Sequence, residues 1–318
     1  MSRPRPPARP VDLRNASRVL PAFRTPRVGL ALGGGGARGY AHIGVLKVLE
    51  REQVQVSYLA GTSMGGLIAA CAAIGMTPAQ IEAEALKLRT RSLVDLSRQR
   101  TGLMDGRRIR ENLLRVFGDR EFSDTVIPVR VVAVDLDTGE ELALCEGSLV
   151  DAIRATISVP GVLCPADWRG RRLADGGLTN SVPADVARDM GAECVIAVDV
   201  GHTAFEPLSR ESARRLLSLP GLASLSPVAG ILTRSLHIME AEITRERLEK
   251  ARPDLVIRPA IGPINIEEFD RAAEVIPTGE RAAAEALPRL RAATRRRLFW
   301  DVGSPMRRPA PSEIGARS

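Results

Sequence analysis

Hydrophobic positions in this chain cluster into short, nearly unbroken runs separated by stretches of helical period. Residues 28–32 (VGLAL) form such a run, ending in four glycines, and read as a buried strand. Residues 37–50 follow as a helix, with Ile43, Leu46, Val48 and Leu49 turned to the core. Residues 54–60 read as a second strand, and 67–74 as a buried helix stopped by Gly75 and Pro78. Further helical patterns cover 78–87 and 107–117. Residues 128–136 (PVRVVAVDL) are a third strand, with 141–145 able to pair beside it. A helix over 148–156 has Ser148 as its N-cap. Then come a short strand at 171–174, a helix at 182–190, a strong strand at 194–200, a strand at 254–258 and a last helix at 278–298. Strands alternating with helices predict an α/β fold of three layers, α/β/α, around a mostly parallel central sheet.

Two regions depart from this alternation. Residues 203–250 are rich in Leu, Ser and Pro and then helical with mixed charge, which suits either a cap over a site or plain surface helices. Residues 1–26 are rich in proline and arginine, lack periodicity, and read as a disordered arm. The expected organisation is this arm, a catalytic domain over 27–300, and a flexible basic tail over 301–318.

Composition narrows the classes. The chain has 318 residues, 44% hydrophobic, enough for a full core without staples. Its net charge of +7 is uneven: the first 27 residues and the last 30 each carry +6, leaving the middle at −5. The basic ends are either simply solvated or drawn to anionic lipid. No aromatic-interleaved basic patch points to nucleic acid. Cys71, Cys145, Cys164 and Cys194 form no C-x-x-C pair and no metal spacing with His, so they read as reduced, packed thiols in a reducing compartment. The start lacks the apolar core of a signal peptide. The uncharged stretches 53–81 and 216–233 are broken by Gly, Pro and Ser and should not span a bilayer. A cytoplasmic protein, with peripheral contact at the inner membrane face, is the expectation.

Three motifs carry candidate chemistry. Gly33-Gly34-Gly35-Gly36-Ala37-Arg38-Gly39 follows a strand and opens a helix. Its 34–39 portion matches a dinucleotide fingerprint, but the second strand ends Leu59-Ala60-Gly61-Thr62, without the carboxylate that would bind ribose. A loop of consecutive glycine amides at a helix start also suits an anion that exists only in a transition state. Arg38 in the first helical turn would oppose the helix dipole unless negative charge lies nearby.

The second motif, Gly61-Thr62-Ser63-Met64-Gly65, is a G-x-S-x-G between strand and helix, the setting of a nucleophile elbow with Ser63 at its tip and Gly61 and Gly65 flanking it. The third, Leu173-Ala174-Asp175-Gly176-Gly177, delivers a carboxylate from a strand into a Gly-Gly turn. The serine needs a base. The chain has three histidines, His42, His202 and His237. The order Ser63, Asp175, His202 would suit an α/β-hydrolase triad, although that fold places several strands before its elbow.

Taken together, the three motifs resemble the patatin-like phospholipase family, in its compact bacterial form, over roughly 27–298. The likeness extends to Gly44-Val45-Leu46, to Asp135-Leu136-Asp137-Thr138-Gly139, to 154–161 and to 191–200. The resemblance implies a Ser63–Asp175 dyad without catalytic histidine, and oxyanion-hole amides from Gly34, Gly35 and Gly36 with help from Arg38. It implies no cofactor and no metal, and a phospholipid, neutral-lipid or lysolipid ester as substrate. One departure is Ala155-Thr156, where the family usually has Ala-Ser. The alternatives are a His-dependent esterase and a non-catalytic lipid-binding protein.

Overall fold

The computed structural model describes residues 22–95, 97, 102–201, 227–295 and 297–299. Pro26–Thr294 form one compact unit, and the segments flanking it form a second, smaller one.

In chain order the elements are β1 (Ala22–Arg24), β2 (Val28–Leu32), a 3-10 turn (Gly36–Tyr40), α1 (Ala41–Arg51), β3 (Val56–Thr62), α2 (Met64–Ala73), α3 (Pro78–Lys87), α4 (Thr90–Leu93), β4 (Gly102–Met104), α5 (Arg107–Phe117), β5 (Val129–Asp135) and β6 (Glu141–Leu144). There follow α6 (Leu149–Thr156), β7 (Gly161–Leu163), β8 (Ala166–Trp168), β9 (Arg171–Asp175), α7 (Ala184–Asp189), β10 (Cys194–Val198), α8 (Pro227–Ala251), β11 (Leu255–Ile257), α9 (Ala272–Glu285), α10 (Leu287–Thr294) and β12 (Arg297–Phe299). In the smaller unit β1 pairs antiparallel with β12. Most of the expected arm, all of the expected tail and residues 203–226 of the expected cap region lie outside the described residues.

The main sheet has eight strands in the order β11-β10-β2-β3-β5-β9-β8, with β6 also on β5. From β11 to β5 every pairing is parallel, while β6, β9 and β8 join antiparallel. Side chains alternate across it as the pleat requires. Leu30, Leu32, Leu59, Val131, Ile196 and Val198 face one core, beneath α1, α2, α6 and α9. Ala31, Ala60, Val132, Val195 and Ala197 face a second core with α7 and Leu248 of α8. These are the three layers predicted. Among the described residues no helix is long and apolar enough to cross a membrane.

The pairing around β5 decides where the chemistry lies. Val131 and Val132 pair with both β3 and β6, and Ala133 and Val134 with both β9 and β6. A strand has two edges, so β6 fills one and β3 and β9 share the other, end to end. Thr62 of β3 lies opposite Val132, and Asp175 of β9 opposite Ala133, the next residue.

Two helical expectations need correction. The segment after β2 is not helical from residue 37: a 3-10 turn intervenes and α1 begins at Ala41. The last helix does not start after Pro277. It starts at Ala272, runs through the proline, ends at Glu285, and α10 follows. Buried Val275, Ile276 and Gly279 in α9 press on α1, and this packing outweighs the lost backbone bond at Pro277. At that crossing a Cβ on Gly44 would lie 2.1 Å from the Ile276 carbonyl oxygen. Gly44→Ala should therefore force the two helices apart and cost about 1–3 kcal/mol, read as a lower denaturant midpoint at unchanged slope.

Candidate active site

Ser63 stands between β3 and α2 with φ 53° and ψ −125°, a left-handed conformation that a non-glycine residue holds only under constraint. The flanking glycines make this possible. A Cβ at Gly61 would lie 2.5 Å from the Gly65 carbonyl oxygen, and one at Gly65 would lie 2.1 Å from that of Leu32. The chain thus turns from β3 into α2 with no room for a side chain at either place. Two hydrogen bonds lock the turn: Ser63 N donates to Thr156 Oγ1 at 2.8 Å, and Thr62 Oγ1 donates to the Asn180 carbonyl at 2.7 Å.

Thr156 occupies the position where the sequence departs from the usual serine. Its hydroxyl accepts from Ser63 and donates to the Val132 carbonyl at 2.5 Å, so the bonding group is kept and only a methyl is added. Thr156→Ser should keep both hydrogen bonds and leave the reactivity of Ser63 toward a serine-directed probe close to normal. Thr156→Val strands the buried Ser63 amide, which costs about 1–3 kcal/mol, and labelling of Ser63 by such a probe should slow by roughly tenfold or more.

Asp175 ends β9 and meets Ser63 head on. Ser63 Oγ donates to Asp175 Oδ2 at 2.6 Å, across 112 residues of chain. The other carboxylate oxygen accepts from Gly177 N at 2.8 Å, and the Asp175 amide donates to the Ser158 carbonyl at 3.0 Å. The Ser158 segment is braced in turn by buried Arg154, which donates to Ser158 Oγ and to the Asp105 and Cys164 carbonyls. Asp175 is 6% exposed, and burial pushes its carboxyl pKa up to about 7, against the pull of the Ser63 and Gly177 hydrogen bonds. Nearby Glu240 adds to the rise. A carboxyl group with that affinity for a proton can take one from a hydroxyl near neutral pH.

The glycine loop lies beside Ser63. Its amides are not equivalent: Gly33 N donates to the Val198 carbonyl (3.0 Å), Gly34 N to that of Ser181 (2.9 Å) and Ala37 N to that of Ile266 (2.8 Å). The amides of Gly35 and Gly36, between them, have no acceptor among the described residues. Of the three glycines expected to offer amides, Gly34 is thus engaged by the fold itself. Arg38 lies in the 3-10 turn that leads into α1, and Glu267 and Glu240 supply the negative charge expected near it. Its side chain is buried, and Nε donates to the Ile264 carbonyl at 2.7 Å. Burial draws the guanidinium pKa down to about 10, while Glu267 and Glu240 favour its charge.

The histidines fall elsewhere. His42 is fully buried, bonded through Nε2 to the Gly33 carbonyl at 2.7 Å, and burial lowers its pKa to about 4. The neutral ring therefore donates to Gly33 and holds the loop. His237 is on α8, with a pKa lowered by burial and by Arg38. His202 lies outside the described residues. Glu240, also on α8, escaped sequence reasoning: it is one acid among many on a helix of mixed charge, and its half-burial comes from tertiary packing.

A family model described as patatin-like phospholipase matches residues 30–188. A patatin-like phospholipase domain-containing protein of Caenorhabditis elegans is 32% identical over 301 residues, 88% of this chain and 22% of that protein. The chain thus spans about a fifth of that relative's length. An uncharacterized NTE family protein of Mycobacterium tuberculosis is 29% identical over 334 residues, covering 83% of this chain and 92% of its own. The crystal structure of VipD from Legionella pneumophila superposes with a TM-score of 0.52 at 13% identity, over 86% of this chain and 72% of that one, and shares the fold.

Proposed function

The chain belongs to the patatin-like phospholipase family, and from that membership we propose that it is a serine acyl hydrolase cleaving lipid acyl esters, of phospholipase A or lysophospholipase type. The 2.6 Å hydrogen bond from Ser63 Oγ to Asp175 Oδ2 carries this reading.

In the proposed reaction Asp175 takes the Ser63 proton as Oγ attacks the ester carbonyl carbon. The negative charge moves to the carbonyl oxygen, where the free Gly35 and Gly36 amides would receive it, with Gly34 holding the loop in place. One such donor is worth about 2.7–4 kcal/mol in the barrier. Protonated Asp175 returns its proton to the leaving alcohol as the carbon–oxygen bond breaks. It then takes a proton from water, whose oxygen attacks the acyl-serine, and finally hands that proton back to Ser63 Oγ as the fatty acid leaves. No histidine is needed at any step.

The substrate reading is a phospholipid or lysolipid. On α8, next to Glu240, Leu236, Ile238 and Met239 stand 41%, 42% and 58% exposed and offer an apolar surface to lipid. The basic ends favour contact with an anionic membrane, in keeping with a cytoplasmic enzyme at the inner face.

A fluorophosphonate probe tests the assignment without a guess at substrate. The expected result is a single adduct on Ser63, mapped by mass spectrometry and lost in Asp175→Asn. An adduct dependent on His237 or His202 would support the histidine-dependent esterase. No adduct, even with anionic vesicles present, would leave a lipid-binding protein.

A further inference from the structure

Glu240 is a half-buried carboxylate for which the proposed reaction has no use, and it touches both halves of the site. Ser181 Oγ donates to Glu240 Oε1 at 2.6 Å, and the Ser181 carbonyl accepts the Gly34 amide at 2.9 Å. Gly34 is wedged against that hydroxyl and the nucleophile: a Cβ there would lie 3.3 Å from Ser181 Oγ and 3.4 Å from Ser63 Cβ. On the other side, a Cβ at Gly177 would lie 3.1 Å from Glu240 Oε1 and 3.2 Å from Asp175 Oδ1, so the two carboxylates approach each other over Gly177.

We propose that Glu240 is a positioning residue of this site, clamping Ser181 and through it the glycine loop over Ser63, while setting its negative charge beside Asp175. The proposal rests on the Ser63–Asp175 reading above. Among the described residues, the titratable groups around Glu240 are Arg38 on the 3-10 turn, Asp175 at the end of β9, Asp199 after β10, and His237 one turn earlier on α8. Burial pushes the Glu240 carboxyl pKa up, with Asp199 adding to the rise, while the Ser181 hydrogen bond and Arg38 pull toward the ionised form. An ionised Glu240 makes a proton on Asp175 more welcome, which is the state Asp175 reaches when Ser63 attacks. The same helix carries the exposed apolar residues Leu236, Ile238 and Met239, so α8 links the lipid-facing surface to the glycine loop.

The test is the rate of fluorophosphonate labelling of Ser63 as a function of pH, in wild type, Glu240→Gln and Glu240→Ala. Wild-type labelling should rise through about pH 7 with ionisation of Asp175. Glu240→Gln keeps an acceptor for Ser181 but removes the charge, so the plateau should hold while the midpoint moves to lower pH. Glu240→Ala releases Ser181, and its plateau should fall about tenfold, as for one lost buried hydrogen bond. Superimposable wild-type and Gln profiles overturn the proposal. So does a loss in Ala that Gln fails to rescue with the midpoint unmoved, which would assign Glu240 to packing alone. Absence of any Ser63 adduct in wild type overturns the dyad itself, an outcome distinct from both.

Discussion

Asp175→Asn is expected to abolish ester hydrolysis and, above neutral pH, to make the protein more stable. The two effects share one cause. In the fold the carboxyl pKa stands at about 7 because burial disfavours its charge, against 3.8 for a solvated aspartate side chain. The folded state therefore holds its proton more tightly than the unfolded chain does. Stability from this group is fully present below the unfolded pKa and is lost as pH rises through the folded one. At pH 8 the buried carboxylate costs the wild type up to roughly 4 kcal/mol that the neutral amide does not. Thermal melts should show the variant gaining on the wild type from pH 4 to 7, with a constant lead above that, worth several degrees. Hydrolysis should fall by at least about 100-fold, as for loss of a general base. Equal melting temperatures at pH 8 would mean that the carboxylate is well solvated, and the argument for a poised base would fail with it.

Gly65→Ala should be the most damaging single methyl in the site, because its Cβ would lie 2.1 Å from the Leu32 carbonyl oxygen at the end of β2. Backbone cannot yield as a side chain can, so either α2 retreats or the β2–β3 pairing opens. Overpacking of this kind costs about 1–3 kcal/mol or more. Ser63 moves with α2, and a displacement near 1 Å can cost about 100-fold in rate. Gly66→Ala is the control one residue on. Its Cβ would lie 3.1 Å from Val131 Cγ1 and 3.2 Å from Thr156 Cγ2, methyl groups that can shift, and 3.3 Å from the Gly61 carbonyl oxygen, a far milder approach to backbone than at Gly65. Denaturation midpoints and Ser63 labelling rates should separate the two variants. Equal behaviour would show that the elbow tolerates a side chain at Gly65, against the reading of G-x-S-x-G as a steric requirement.

Much of this was legible in the sequence, for physical reasons that differ from element to element. The parallel strands β2 and β10 are buried along their whole length and β3 and β5 along most of theirs, so their apolar runs are nearly unbroken and announce themselves. Helices α3 and α5 match the predicted ranges to the residue, helped by the Thr77 cap and Pro78 on α3. The short strands β7 and β8 were not legible, because three residues carry no period; β7 also pairs with β4, distant in the chain, whereas β8 pairs with its neighbour β9 across a tight turn. The serine and aspartate were visible through their glycines, which mark turns that only small residues allow. The unequal roles of the Gly34, Gly35 and Gly36 amides were not, since they depend on the Ser181 carbonyl nearly 150 positions away in sequence. Thr156 looked like a departure, yet it supplies a hydroxyl that accepts from the Ser63 amide.

The abutment of β3 and β9 along one edge of β5 makes that central strand a ruler. Ser63 and Asp175 are spaced by neighbouring rungs of a single backbone, Val132 and Ala133, rather than by the chain that runs between them. Loops in that intervening chain can therefore lengthen or shorten without altering the gap the proton must cross. A register slip of one residue on either side would shift a partner by about 3.3 Å and turn its side chain to the opposite face. The arrangement is tolerant of insertion and intolerant of slippage, which makes the exposed turns between 63 and 175 the natural places to graft new sequence without disturbing the pair.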